Sequence, residues 1–218
     1  MKVRIISLFA VALLVGCTDQ SSTTPQPNDP PSTETETEPE IEEPQEMGPD
    51  LHTYFMPNQS IARFEGMGNE YATYTLETQY LYDDYIGTLE DNGGTVVQRI
   101  YRVEENRIVK IFEEVEAYEA DFPPFNELES MPELETYLSL PLEEGTAFGG
   151  WTIEQVDGTL ETPFQTFTDV IMLSQEGEDQ SVIEKYFVEG FGEVKRVFRM
   201  PGGEGEEFEV ISTLQSVD

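Results

Sequence analysis

The chain is short of cations, cysteine and histidine. Its 218 residues hold 11 Lys and Arg against 45 Asp and Glu, a formal charge of −34, with one Cys, one His and one Trp. A field of that sign repels phosphate backbones and anionic headgroups, so nucleic-acid binding and electrostatic docking on lipid are disfavoured. One Cys excludes an internal disulfide scaffold and a cysteine-rich zinc site. His52 is the sole imidazole, so no pair of His ligands to zinc can form. Any His-dependent serine triad would have to use that residue, which stands at a segment boundary before Tyr54-Phe55 and reads as exposed. No Gly-x-Ser-x-Gly elbow and no phosphate loop ending in Gly-Lys-Ser or Gly-Lys-Thr occurs. Gly66-Met67-Gly68 and Gly190-Phe191-Gly192 have Tyr71 and Lys195 where a dinucleotide fingerprint wants its third glycine, and both read as turns. The expectation is a protein that is not an enzyme, without catalytic residues, metal or cofactor.

Long hydrophobic runs are missing too. Lys2 and Arg4 precede an uncharged stretch of 11 residues, Ile5 to Val15, against the roughly 18 or more of a membrane-spanning helix. A secretion signal over residues 1–16 fits that length. The stretch ends in Leu14-Val15-Gly16-Cys17, which resembles the signal of bacterial lipoproteins at all four positions of their box. The resemblance implies that diacylglycerol is attached to the Cys17 thiol and that cleavage makes Cys17 the mature N-terminus. Two acyl chains give stable anchoring where one gives marginal binding. The expected membrane partner is therefore reached through lipid, on the extracytoplasmic side.

Residues 18–50 hold seven of the 14 prolines and ten acidic residues, no Lys or Arg, and only Ile41 and Met47 as apolar side chains. So little apolar surface cannot offset the entropy of ordering, and 17–50 reads as a lipidated Cys followed by a disordered Pro/Thr/Glu tether. Extended at ~3.1 Å per residue it would reach about 100 Å. A tether of this kind suits a thick wall, which favours a Gram-positive surface over a periplasm.

Residues 51–218 carry 9 basic and 35 acidic side chains, 9 − 35 = −26, and are long enough for one hydrophobic core. Ala72 to Tyr82 alternates with period two, the mark of a half-buried strand. Asn92-Gly93-Gly94 and Glu105-Asn106 separate further runs as hairpin turns do. Ile61–Met67, Trp151–Val156, Phe164–Leu173, Val182–Val188, Val194–Met200 and a segment around Phe208–Leu214 continue the pattern. Consecutive strands with tight turns predict a mainly β domain: an antiparallel meander forming a curved sheet, half-barrel or sandwich. Pro123-Pro124, Pro132 and Pro141 interrupt it, so 113–144 reads as a short helical or irregular crossover between two sheet halves.

Several segments resemble a group of uncharacterised extracytoplasmic surface lipoproteins of bacteria. They are Gly68-Asn69-Glu70-Tyr71, Gly93-Gly94-Thr95-Val96-Val97, Thr162-Pro163-Phe164-Gln165-Thr166-Phe167 and Lys185-Tyr186-Phe187 followed by Gly190-Phe191-Gly192. Phe164-Gln165 departs from the Ala-Gly usual in the third. The resemblance implies a β-dominated fold and adds no catalytic residue.

Tyr74, Tyr80 and Tyr82 fall on one face of their strand and are the candidate ligand-facing residues. A curved sheet lined this way could hold an apolar ligand, as half-barrel carriers do, although core packing accounts for the same residues. Trp151 after Gly149-Gly150 reads as a core anchor. Carboxylates are so numerous that a glycosidase-like pair would carry no information. The leading functional expectation is a non-enzymatic binding or scaffold module outside the membrane, with a cell-wall, protein or hydrophobic-ligand partner. A carrier or sensor of a hydrophobic ligand comes second, and a wall-glycan enzyme using paired carboxylates a distant third.

Overall fold

Alternating inward and outward side chains build strands along most of the computed structural model, which describes residues 48–119, 121–177, 179–202 and 207–218. The lipidation candidate Cys17 and residues 17–47 of the tether lie outside the described residues. The first meander comprises β1 (Ser60–Met67), β2 (Tyr74–Tyr82), β3 (Tyr85–Asp91), β4 (Val96–Val103), β5 (Arg107–Val115) and β6 (Glu135–Ser139). The second comprises β7 (Ala147–Phe148), β8 (Trp151–Glu161), β9 (Thr166–Glu176), β10 (Val182–Val188), β11 (Gly192–Pro201) and β12 (Glu207–Val217). All twelve join one antiparallel sheet in the order β6-β5-β4-β3-β2-β1-β12-β11-β10-β9-β8-β7. Pairing of β1 with β12 fuses the two meanders, with Phe64 opposite Leu214. The sheet curls into a nearly closed barrel. Its two free edges approach where the Trp151 indole N–H donates to Glu135 Oε1 at 3.4 Å.

Turn chemistry fixes the register. At the β3–β4 hairpin Asp91 Oδ1 accepts from the Gly93 amide, and Asn92 Oδ1 accepts from those of Gly94 and Thr95. Gly93 there takes a φ of 79°, which glycine adopts without steric cost.

Side chains of both meanders fill the interior. One cluster includes Phe55, Ile86, Ile108, Trp151, Leu173 and Phe187, and another Met56, Phe64, Tyr74, Phe167 and Leu214. The segment before β1 contributes to both. Asp50, read from the sequence as the end of the tether, caps a 3-10 turn over Leu51–Tyr54 by accepting from the His52 amide. Leu51, Tyr54, Phe55 and Met56 are buried. The segment crosses β11 at Gly192, where φ is 70° and an added Cβ would lie 2.5 Å from the Tyr54 carbonyl oxygen.

Residues 116–119 and 121–134 lie against the outside of the sheet. Leu128, on a short helical turn α1 (Phe125–Leu128), is fully buried in a third cluster with Tyr85, Ile100, Val109 and Ile111. This explains why β3 to β5 are apolar on both faces. Within the expected crossover the structure adds β6, a five-residue edge strand between Pro132 and Pro141.

Candidate functional site

The barrel interior is not filled solid. Between the apolar clusters lies a cavity of about 300 Å³ whose wall includes Tyr74, Tyr101, Tyr137 and Trp151 together with four acids and four bases. The charged residues come from β3, β4, β5, β6, β10 and β11.

Two bulges account for their convergence. In β4–β5 pairing Ile100 faces Phe112 but Tyr101 faces Lys110, so the register shifts by one residue. That shift turns Lys110 and Glu113, three residues apart, onto the same inner wall. In β10–β11 pairing Tyr186 faces Lys195 but Phe187 faces Glu193, and Glu193 and Arg196 are brought to the cavity in the same way. Ladder register completes the set: Arg99 stands opposite Glu113, Lys110 opposite Glu135, and Lys185 opposite Arg196.

The contacts alternate in sign around the cavity. Arg196 donates to Glu193 at 2.7 Å and to Glu90 at 3.4 Å. Glu90 also accepts from Arg99 at 3.1 Å, and Arg99 donates to Glu113 at 2.8 Å. Lys110 bridges Glu113 at 3.0 Å and Glu135 at 2.8 Å. Glu135 takes the Trp151 indole N–H, and the Trp151 ring lies 4.7 Å from the Lys185 ammonium. Lys185 closes the circuit at 3.7 Å from Glu193. Four positive and four negative charges cancel, so the barrel's large negative charge belongs to residues outside the ring.

Titration of these groups follows from burial set against partners. Burial alone would raise the Glu90 carboxyl, but Arg196 and Arg99 hold it below the ordinary carboxylate range. The same opposition lowers Glu113 through Lys110 and Arg99, and Glu135 through Lys110. Lys110 is raised, because Glu135 and Glu113 outweigh its desolvation. Lys185 goes the other way: burial depresses it, and Glu193 only partly compensates. Tyr74 and Tyr137 are pushed well up, primarily by burial.

No family model matches the chain. No curated protein matches it either. A crystal structure of a Bacteroides fragilis protein described as exported, with a YmcC-like fold, is similar over 76% of this chain and 99% of that one, at 10% identity and a TM-score of 0.46.

The three candidate tyrosines part company. Tyr74 lines the cavity, stacked on Phe64 at 4.3 Å between ring centroids, with the Arg196 guanidinium 5.6 Å above its ring. Tyr80 packs against the first core cluster and donates its hydroxyl to the His52 carbonyl at 3.1 Å. Tyr82 sits outside the barrel, edge-on to Phe125 and accepting that residue's amide at 3.1 Å. A register shift between Tyr80 and Tyr82 breaks the strict alternation on which the common face depended. Trp151 proves to be core anchor and cavity wall at once, 4% exposed. His52 is half-buried rather than exposed, its two ring nitrogens 2.9 Å from Asp50 Oδ1 and from the Asp83 carbonyl.

The eight-membered ring was not visible in the sequence as a motif. Its one local trace is a charged residue at an inward position beside a buried aromatic, as in Arg99-x-Tyr101 and Lys185-x-Phe187.

Proposed function

We propose that this protein is a non-enzymatic binding module held outside the cell membrane, with the barrel cavity as its receptor for a small molecule. The observation that carries this reading is the cavity itself. A protein interior is ordinarily packed to crystal-like density, yet here about 300 Å³ stays open amid eight charges and seven aromatic side chains. A concave space with a few convergent polar groups is the usual form of a small-molecule site. The extracytoplasmic placement and the lipid on Cys17 rest on the Leu14-Val15-Gly16-Cys17 box.

Two features favour binding over catalysis. The cavity wall contains no Ser, Cys or His. A glycosidase acid needs a carboxyl raised toward neutrality, whereas three of the four cavity acids, Glu90, Glu113 and Glu135, are lowered. The charges also disfavour an acyl chain as ligand, because stripping water from eight ionised groups to seat hydrocarbon has no compensation.

A thermal-shift screen of the full chain against small polar and apolar compounds tests the reading. A ligand at 100 times its dissociation constant should stabilise by about 2.7 kcal/mol. Failure of every class of compound to shift the midpoint would count against the cavity as a receptor.

A further inference from the structure

Within the ring one cation differs from the other three. Arg99, Arg196 and Lys110 each donate to two carboxylates. Lys185 makes no hydrogen bond among the described residues, its nearest carboxylate oxygen lying 3.7 Å away. That carboxylate already accepts from Arg196 through its other oxygen. Around the Lys185 ammonium stand the faces of Trp151 and Tyr137, at 4.7 and 5.0 Å. Directly across the β10–β11 ladder is Arg196, and like charges so placed repel. An ammonium has three N–H donors and no acceptor capacity, so this one, its side chain 15% exposed, has no donor taken by a described residue and a second cation beside it.

Other polar groups on the same wall also lack partners. The Thr78 hydroxyl is buried without a hydrogen bond. Gln175 lies opposite Ile183 in the β9–β10 ladder, two positions from Lys185 on the same inner face, and its side-chain amide makes no hydrogen bond among the described residues.

Resting on the reading of the cavity as a receptor, the geometry points to a small organic monocarboxylate as its ligand, with the carboxylate seated on the Lys185 ammonium. A carboxylate supplies the acceptors that Lys185 lacks and offsets the Lys185–Arg196 repulsion. Charge selects a monoanion. The ring sums to zero, so one added negative charge meets one underpaired cation, whereas phosphate, between one and two charges at neutral pH, brings more negative charge against the same four carboxylates. Size selects a compact molecule, since about 300 Å³ is the lower end of small-molecule sites.

Trp151, the sole tryptophan, reports on this spot directly. Benzoate, inorganic phosphate and neutral indole are titrated into the full chain at neutral pH, following Trp151 emission for the anions and the unfolding midpoint for all three. Benzoate should bind one to one and phosphate at least tenfold more weakly. Lys185→Met, which keeps the aliphatic stem, should weaken benzoate at least tenfold. Equal benzoate binding by Lys185→Met, or phosphate binding as tight as benzoate, overturns the proposal. Indole binding without benzoate binding overturns the carboxylate assignment and leaves the receptor reading standing, while binding of none of the three defeats both. Should Lys185→Met not fold, the parent protein decides. Benzoate should slow acetylation of Lys185 by acetic anhydride, read by peptide mass spectrometry, without slowing that of Lys195, and equal slowing or none at Lys185 refutes the assignment.

Discussion

Replacing Glu90 by glutamine should destabilise the barrel far more than a surface change of the same kind. One oxygen of Glu90 accepts from Arg99 on β4 and from Arg196 on β11, so a single carboxylate ties the first meander to the second across the cavity. Its side chain is 12% exposed, so solvent screens the pair little. Removing one partner of a buried ion pair typically costs ~3–5 kcal/mol, because the charge left behind is uncompensated. Glutamine keeps one acceptor oxygen, which places Glu90→Gln near the lower end, about 3 kcal/mol. At about 2–4 °C per kcal/mol for a domain of this size, the melting temperature should fall by roughly 6–12 °C. The pH dependence supplies a second signature. The folded-state pKa of Glu90 lies below the ordinary 4.5, so its contribution is complete above that value and disappears as pH falls through the folded pKa. Parent and variant should therefore differ most near neutrality and converge in acid. Urea unfolding at several pH values measures all of this, and an unchanged midpoint for Glu90→Gln at pH 7 would refute the reasoning.

Two further outcomes follow from geometry and sequence. Gly192→Ala should cost more than Gly190→Ala, because both glycines have positive φ but only Gly192 lies against the Tyr54 backbone. The backbone conformation alone accounts for ~1–2 kcal/mol, and the excess, read by chemical denaturation, measures how firmly the Leu51–Met56 segment is seated. Cys17→Ala should abolish fatty-acid labelling of the chain in a lipoprotein-processing host, and equal label in variant and parent would remove the anchor.

Strands were legible wherever one face meets the core and the other meets solvent. β2 shows the alternation from Tyr74 to Tyr80, and the glycine and asparagine of its neighbour's hairpin turn fix the next register. β6 escaped because it is five residues long, bounded by Pro132 and Pro141, and lies at a free edge. β7 escaped because it has two residues. The cavity was hidden for a different reason. Its charges come from strands far apart in sequence, and two of its acid–base pairs, Lys110 with Glu113 and Glu193 with Arg196, share a wall only through bulges that alternation does not reveal. The same kind of irregularity misled the reading of Tyr82, which a register shift carries outside the barrel. Tyr74 alone of the three tyrosines lines the cavity. An excess of acid over the whole chain likewise gave no hint that four of its few cations would be gathered inside.

The central claim is that the barrel cavity receives a small molecule, and native mass spectrometry of chain purified without denaturation tests it most directly. Thr88 lines the cavity wall, so Thr88→Trp should fill the space while leaving the outer surface untouched. The account predicts that the parent chain, exchanged into a mixture of small carboxylates, carries one added organic molecule per chain and that Thr88→Trp, still folded, carries none. A parent that shows only its own mass, or a filled variant that retains the same adduct, would contradict it.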